Sequence, residues 1–466
     1  MSFRSVVGFF RQGWRAWFSH AAGLRREVEC PLHRAGIQPG LYHYIREVRG
    51  RATRFHLRVD RSGSGLLLAG ASVAVRLRAS GVILAKGLLE NDDRPAVLAR
   101  LKRSFRSVSE KQANQDADRM RALVEQLAVP SDTYPVINLA DPTFMPAEYP
   151  LDCPLSADMP LAEPEWVVPL LDRMWELGIP HVTLIAGDEP DAAALLRAVE
   201  RAEDLGMIAG VRGRGSVLGG GTLIHDLAQA GVDHLNVLYL AADGEEHDRI
   251  AGAGDHKRAM HAFEQAHEND ICPVAEIALT EASTALAEDT INSLNEHHVR
   301  TAGVFAIATE GSTGMDGALS ADALIQTAGL LEEAADEANL HLLWYPPVRF
   351  QPGSSLPEAV RFGPRCSGDT AVRVEPDGSV IPPRGPYRVG GNLLNDPGAQ
   401  IFESAAFRQY RARMERDTHC TTCPGLAVCA ADCPRNALGW ADGRAATPSV
   451  AIPKPEVASE EISHDL

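Results

Sequence analysis

The spacing of apolar residues changes several times along this chain of 466 residues and divides it into successive regions. Residues 1–25 carry large apolar side chains at near-helical spacing with arginines between them, which predicts a helical extension over 1–49. Such a helix either lies on a membrane or a partner, or packs on its own protein. We favour packing on its own protein.

Residues 50–128 first alternate polar and apolar positions and then change to helical spacing. The runs RFHLRVD, LLLAG and SVAVRL predict three strands, with a Gly-Ser-Gly turn after the first. Three helical stretches follow; Asp92 or Asp93 is placed to cap the second, and Pro95 lies in its first turn. This order predicts a small separate α+β domain, followed by the linker AVPSDTYP.

Short apolar runs alternate with helical stretches from residue 134 to residue 345. The runs are PVINLA, HVTLIAG, MIAGVRG, HLNVLYL, CPVAEIAL, AGVFAIA and HLLWYP. This alternation is typical of βα units around a parallel sheet. Six or seven units predict an α/β domain built as an open or closed β/α barrel.

The remaining chain is less regular. Residues 346–440 are rich in loops and include the hairpin-like run RVEPDGSVI, whereas residues 441–466 are acidic, contain prolines and are expected to be disordered. The net charge of −17 argues against nucleic-acid binding. No apolar run approaches the ~20 residues of a membrane span, and no signal-peptide pattern is recognisable. We therefore expect a cytoplasmic protein, in which clustered cysteines more often bind metal or carry redox chemistry than form disulfides.

Four of the eight cysteines lie within the fifteen residues His419–Cys433. Their spacing is Cys420-x2-Cys423-x5-Cys429-x3-Cys433, with turn residues directly after the first pair. Four thiolates suit either zinc or an iron–sulfur cluster, and the spacing alone does not choose between them. Four unrelated buried thiols are the less expected alternative.

A cysteine, a PDG hairpin turn, a GN pair and an S-x-x-F stretch precede this run in that order. The residues of the whole pattern are Cys366, Gly378, Gly391, Asn392, Ser404, Phe407, Cys420, Cys423, Cys429 and Cys433. The arrangement resembles the SPASM domain, the C-terminal iron–sulfur extension of radical SAM peptide-modifying enzymes. It covers about 75 residues of this chain.

The resemblance implies that these cysteines bind iron–sulfur clusters. It assigns Cys420, Cys423 and Cys429 to one auxiliary [4Fe–4S] cluster, and Cys366 and Cys433 to a second. This chain departs from the pattern, because Pro383 stands where a further cysteine belongs and no cysteine follows Cys433. We therefore expect one [4Fe–4S] cluster, held by three or four of the thiolates, with zinc as the alternative metal.

The stretch IAGDEP at 185–190 is similar to the GGEP motif of the radical SAM core. In that family the motif holds the amino group of S-adenosylmethionine, and Gly187 and Glu189 match it. Asp188 replaces a glycine and places a side chain and a negative charge where a close backbone approach is needed. The turn H-D-x-I-x-G is kept, at His247, Asp248, Ile250 and Gly252.

The family's C-x3-C-x2-C loop, which carries the cluster that binds S-adenosylmethionine, has no counterpart here. The corresponding stretch, VINLADPTFMPAEYPLDCPL, contains Cys153 alone, which we expect to be structural. The Thr-Asn pair of the family's TNG-L pattern is also missing from GVRGRGSVL. The resemblance therefore implies a radical-SAM-like fold without its chemical centre, and S-adenosylmethionine is a doubtful cofactor.

The strands-then-helices pattern of residues 50–128 resembles PqqD-like domains, which bind a leader peptide as an added strand. The alternative is a generic winged-helix-like packing domain. The favoured interpretation of the whole chain is a non-catalytic iron–sulfur protein that binds a leader peptide or a modifying enzyme, or transfers electrons, in peptide or protein modification. Two alternatives remain open: an active maturase with an unorthodox site, and a structural zinc-binding protein.

Overall fold

The computed structural model describes part of the chain. The described residues are 31–48, 51–70, 73–128, 153–161, 164–308, 317–319, 321–346, 348–349, 355–368, 370–383 and 387–408. The predicted helix within 1–25, the cysteine run 420–433 and the tail 441–466 lie outside these ranges. No helix in the described ranges is long and apolar enough to cross a membrane.

The N-terminal domain is a four-stranded antiparallel sheet with helices packed on one face. The sheet runs in the order β1 (Gly40–Val48), β2 (Arg51–Val59), β3 (Gly65–Ala69) and β4 (Val73–Leu77). The helices are α1 (Pro31–Ala35), α2 (Ala79–Leu89), α3 (Arg94–Ser104) and α4 (Glu110–Leu127). Strand β1 lies within residues 1–49, which the sequence predicts to be a helical extension, so the domain begins before residue 50 and its sheet is one strand larger than expected. Asp93 caps α3 by accepting the Ala96 N–H at 3.0 Å. It is one of the two residues, Asp92 and Asp93, that the sequence predicts for this cap.

The central domain is a parallel sheet whose first seven strands lie side by side in chain order. They are β5 (Ser156–Pro160), β6 (His181–Ile185), β7 (Ile208–Gly213), β8 (His234–Leu238), β9 (Cys272–Leu279), β10 (Thr301–Ala308) and β11 (His341–Trp344). The intervening helices are α5 (Pro164–Leu177), α6 (Ala192–Leu205), α7 (Gly215–Leu218), α8 (Leu223–Ala230), α9 (Gly244–Ala251), α10 (Asp255–Glu268), α11 (Glu281–Ala285), α12 (Ala287–Glu296) and α13 (Ala321–Glu337). Sequential βα units in one parallel sheet make this a partial (β/α) barrel.

The last region joins the barrel sheet at its first strand. Its elements are β12 (Val348–Arg349), α14 (Leu356–Phe362), β13 (Ala371–Val374), β14 (Ser379–Ile381), β15 (Gly391–Asn392) and α15 (Gly398–Phe402). Strand β13 pairs in parallel with β5, β14 and β15 follow antiparallel, and β12 pairs with β10. Both sides of β5 are therefore occupied, by β6 and by β13.

Alternate residues of the barrel strands face the helices and the interior. The helix-facing side is apolar and forms the main core, as Ala157 and Met159 on β5 illustrate. The residues between them face the interior and include buried polar side chains. Asp158 on β5, Thr183 on β6 and Arg212 on β7 belong to this second set.

The N-terminal domain docks on the barrel at the amino ends of the strands. Arg54 donates to Asp233, which precedes β8, and to Glu203 near the end of α6. The fully buried His56 ring bonds the Gly206 carbonyl at 2.7 Å, and Arg58 donates to the Cys153 carbonyl at 2.9 Å. Ion pairs and a buried histidine thus fix this domain at the end of the barrel opposite the carboxyl ends of its strands.

Candidate functional site

The first described barrel strand, β5, leaves almost no loop at the position where a cluster-binding loop belongs. Strand β5 ends at Pro160 and α5 begins at Pro164. The three residues between them, Leu-Ala-Glu, contain no thiol. The stretch that the sequence predicts to correspond to this loop, residues 136–155, lies ahead of β5, and most of it is outside the described ranges. The strand was missed because SADMP is not a continuous apolar run like the other barrel strands, and its polar–apolar alternation spans only a few residues.

Cys153 lies at the wrong end of the barrel to serve a site beside the GGEP-like stretch. Its thiol is buried and donates to the Leu177 carbonyl at 3.1 Å, where α5 turns back toward the start of β6. Gly187 follows the carboxyl end of β6, so the two residues are separated by the length of that strand, about 15 Å. Cys153 is a packed thiol in this structure. The described residues of the barrel mouth therefore do not fit a three-thiolate cluster.

The GGEP-like stretch forms an exposed rim at the carboxyl end of β6. Gly187, Asp188 and Glu189 are all exposed, and a side chain added at Gly187 would meet no atom within 4 Å. From the sequence, the Asp188 side chain is expected to occupy the space that a glycine would leave free. Its carboxylate instead pairs with Arg214 at 2.6 Å while the side chain stays 74% exposed. Arg214 also donates to the Ala251 carbonyl at 2.7 Å, so Asp188 helps to join the loops after β6, β7 and β8.

The best-kept motif of the barrel has a structural role in the described residues. His247 accepts the Leu240 N–H on Nδ1 and therefore donates from Nε2 to Asp255 at 3.1 Å, with both side chains fully buried. Asp248 accepts the N–H groups of Gly254 and His256 at the start of α10, which has no side-chain cap of its own. Backbone hydrogen bonds to Asp248 outweigh desolvation and lower its pKa. The H-D-x-I-x-G turn thus fixes α9 against α10.

Sequence reasoning missed a buried ionic network in the barrel interior. Arg212 donates from Nε to both carboxylate oxygens of Glu276, at 2.9 and 2.7 Å, and its Nη1 lies 3.8 Å from Asp158 Oδ2. Asn236 donates to Glu276 and to the Tyr345 hydroxyl, both at 3.1 Å. The only sequence signal was an arginine and a glutamate inside otherwise apolar strands, where charged residues are rarely buried unless paired.

Burial dominates the electrostatics of this network. It raises the pKa of Asp158 to about 6, although Arg212 and a hydrogen bond from Ser367 oppose the shift. Burial alone would lower the pKa of Arg212, but Glu276 and Asp158 outweigh it and raise that pKa. Burial likewise raises the pKa of Tyr345 well above its usual range. Because a buried charge needs a partner, Arg212 stays charged between the two carboxylates.

The interior below this network is filled by rings. A side chain at Gly210 would overlap the His234 ring, and one at Gly303 would overlap the Tyr345 ring. His234 donates from Nδ1 to Asn236 at 2.6 Å, so its Nε2 accepts the His181 Nε2–H at 2.8 Å. Burial lowers the pKa of both histidines, and the pair is neutral. The lower part of the barrel is therefore a packed core.

The SPASM-like residues form a compact hairpin around Cys366. Gly378 has φ +85° at the PDG turn, and Asn392 closes the hairpin by donating to the Asp377 carbonyl at 2.6 Å. Phe407 packs edge-on against Phe402 in the core. Cys366 is fully buried, with its thiol donating to the Gly368 carbonyl at 3.4 Å. The expected partner cysteines lie outside the described residues.

The described residues alone do not form a metal centre. No group of three or more His, Cys, Asp or Glu side chains in these ranges is arranged to hold a metal ion. Pro383, described and buried, offers no ligand atom. Of the expected ligands, only Cys366 falls inside the described ranges, so the metal assignment of the cysteine run stays a prediction.

Comparisons with known proteins identify the fold. The sequence matches no protein-family model and no curated protein. The structure resembles SuiB of Streptococcus suis, with a TM-score of 0.53 and 11% identity over 84% of this chain and 95% of SuiB. Structures of SuiB bound to S-adenosylmethionine and to precursor peptide SuiA give TM-scores of 0.52 and 0.51 at the same identity and coverage. The chain therefore has the α/β, radical-SAM-like fold with a partial barrel that its sequence predicted.

Proposed function

We propose that this protein is an iron–sulfur-binding protein of radical-SAM-like fold that does not cleave S-adenosylmethionine and that binds a peptide or a modifying enzyme. The observation that carries the proposal is the short connection between Pro160 and Pro164. A cluster that binds S-adenosylmethionine needs three thiolates at this mouth. No thiolate of the described residues lies there, and Cys153 is packed at the other end.

The iron–sulfur part of the proposal rests on the SPASM-like cysteine spacing. A bound cluster supplies one-electron redox chemistry. Three or four of the thiols of Cys366, Cys420, Cys423, Cys429 and Cys433 are the candidate ligands. The hairpin around Cys366 supports this assignment, because it holds that thiol in a fixed, buried position. Electron transfer to a modifying enzyme is compatible with such a site, and a cytoplasmic location stays a prediction.

The metal can be identified directly. Anaerobically purified and reconstituted full-length protein should show broad absorbance near ~400 nm and about four irons per chain, as one cubane cluster implies. Cys420→Ala, Cys423→Ala and Cys429→Ala should each remove most of the iron, since ligation and local folding are coupled. Cys272→Ala is the matched control and should keep it. Stoichiometric zinc with negligible iron would contradict the assignment and favour the structural zinc alternative.

Peptide recognition is proposed for the N-terminal domain. Its sheet has two edges in the described residues, β1 and β4, where a peptide strand could add. The face carrying Leu66, Leu68 and Ala74 packs on Leu155, so binding should be measured on the full chain. Peptides encoded beside the gene should bind at micromolar levels by fluorescence anisotropy. Failure of every such peptide would count against this role.

A further inference from the structure

Four histidines meet where the N-terminal domain docks on the barrel. His43 on β1 and His56 on β2 are register partners, and their rings stack with centroids 5.2 Å apart. His181 and His234 are the first residues of β6 and β8, and their Nε2 atoms lie 2.8 Å apart. Burial lowers the pKa of His181, and the charges that His234 and His56 would carry lower it further. We call these four residues the histidine column, which runs from the docked sheet into the lower end of the barrel.

The hydrogen bonds of the histidine column offer no acceptor for an additional proton. His56 donates from Nε2 to the Gly206 carbonyl at 2.7 Å, and its Nδ1 is buried with no partner among the described residues. The Nε2 atom of His43 is likewise buried without a partner in these ranges. His234 accepts the His181 Nε2–H, so a proton on His234 Nε2 would face that N–H. Because a buried N–H without an acceptor costs free energy, the docked state favours neutral rings.

The charged residues described beside the column are paired with one another. They are Arg54, Arg58, Asp60, Glu203 and Asp233. Arg54 binds Asp233 at 3.1 Å and Glu203 at 2.7 Å, both on the barrel, and so joins the two domains. Arg58 lies 3.5 Å from Asp60. These carboxylates are therefore already balanced, and a histidinium would add a positive charge next to two arginines.

Burial keeps the rings of the docked sheet neutral. It lowers the pKa of His56 to about 3 and also lowers the pKa of His43, and the charge of Arg54 adds to both shifts. Trp175 of α5 contacts both rings edge-on and supplies no charge. Separation of the two surfaces returns both histidines toward their ordinary pKa of ~6.5. Protons therefore bind to the separated state and not to the docked state as the pH falls below that value.

The apolar part of the contact is small. Leu66, Leu68 and Ala74 of the sheet pack on Leu155, and these four residues form a cluster of their own. The much larger core of the N-terminal domain lies on the other face of its sheet, where the helices pack. The domain can therefore separate from the barrel without opening its own core.

We propose that the histidine column is a proton-sensitive switch, which holds the N-terminal domain on the barrel at neutral pH and releases it in mildly acidic solution. All four rings are neutral while the domain is docked. Release exposes His43 and His56, which then bind protons, and it uncovers the sheet face that carries Leu66 and Leu68. The switch involves neither the cysteine run nor a bound peptide, so it can fail independently of the proposed function.

The test is hydroxyl-radical footprinting of the full-length protein between pH 7 and pH 5, with the labelled side chains located by tandem mass spectrometry. Leu66 and Leu68 face the barrel, whereas Leu57 and Leu67 face the core of the N-terminal domain. Each histidine that binds a proton only after release raises the released fraction by up to about tenfold per pH unit below ~6.5. Labelling of Leu66 and Leu68 should therefore rise at least about tenfold, whereas labelling of Leu57 and Leu67 should stay low.

Substitutions at the column assign the effect to its histidines. His43→Gln and His56→Gln each remove one proton-binding ring, and each should reduce the rise in labelling at least about threefold. His261→Gln changes an exposed histidine on α10 and is the matched control, which should behave like the unchanged protein.

Three results would overturn the proposal. The first is unchanged labelling of Leu66 and Leu68 at pH 5 in the unchanged protein. The second is a full rise in both His43→Gln and His56→Gln. The third is an equal rise at Leu57 and Leu67, because that would show unfolding of the N-terminal domain and not its release.

Discussion

Replacing Arg212 by methionine should destabilise the barrel strongly, and the loss should depend on pH in a definite direction. Arg212 is the cation between two buried carboxylates, Asp158 and Glu276, whose side chains are 0% and 4% exposed. Methionine fills a similar volume but leaves both negative charges without a partner. Breaking a buried pair by removing one member costs about 3–5 kcal/mol.

Protonation sets an independent bound on this loss. The Arg212→Met protein can relieve the repulsion by protonating a carboxylate. For a carboxyl group whose pKa is ~4 in the unfolded chain, holding it protonated in the folded protein at pH 7 costs about 4 kcal/mol. That cost falls by about 1.4 kcal/mol for each unit that the pH is lowered. The destabilisation should therefore be about 4 kcal/mol at pH 7 and about 1 kcal/mol at pH 5.

Urea unfolding followed by tryptophan fluorescence measures both values. Trp344 lies in β11 and Trp175 in α5, so unfolding of the barrel contributes directly to the signal. The matched control is Arg361→Met, which changes an exposed arginine and should cost less than about 0.5 kcal/mol. A loss below 1 kcal/mol for Arg212→Met at pH 7, or an equal loss at pH 5, would refute the argument from buried charge.

Three further outcomes are expected. Gly210→Ala should lower the unfolding free energy by about 1–3 kcal/mol, because the added methyl overlaps the His234 ring, and a calorimetric scan measures the loss. Burial lowers the pKa of His56 to about 3, so only the unfolded chain protonates it below its ordinary value of 6.5. Lowering the pH from 7 to 5 should therefore reduce the free energy of unfolding by about 2 kcal/mol through this residue. In His56→Gln the decrease over the same pH range should be smaller by that amount. Arg54→Ala should weaken the docking of the N-terminal domain on the barrel, so that limited proteolysis cleaves the β1–β4 domain faster. An unchanged cleavage pattern would show that the ion pair between Arg54 and Asp233 contributes little to docking.

The barrel could be predicted from the sequence because most of its strands are continuous apolar runs. Parallel strands that are buried on both faces consist almost entirely of apolar residues. The helices between them predict that neighbouring strands follow one another along the chain. The first strand, β5, escaped detection because its interior-facing residue is Asp158. A buried carboxylate is acceptable there only because Arg212 and Ser367 arrive from distant parts of the sequence.

The candidate site was predictable only in its local parts. The turn at Gly378 and the cap at Asp93 depend on neighbouring residues, and both appear as expected. The pairing of Asp188 with Arg214 joins two loops and could not be read from either one. The packing of α14 in one apolar cluster with Phe305 and Ile307 of β10 depends on tertiary structure, since nothing in LPEAVRF identifies the surface that it contacts.

The most direct test of the proposed function is the cleavage of S-adenosylmethionine. Reductive cleavage needs an iron with a vacant coordination position beside the sulfonium, and the connection from Pro160 to Pro164 provides no thiolate for it. Reconstituted full-length protein, with its iron content measured, is incubated with dithionite and S-adenosylmethionine, and 5′-deoxyadenosine is quantified by chromatography. We predict bound iron and no product above a cluster-free control. Sustained 5′-deoxyadenosine formation would contradict the account and establish an active enzyme.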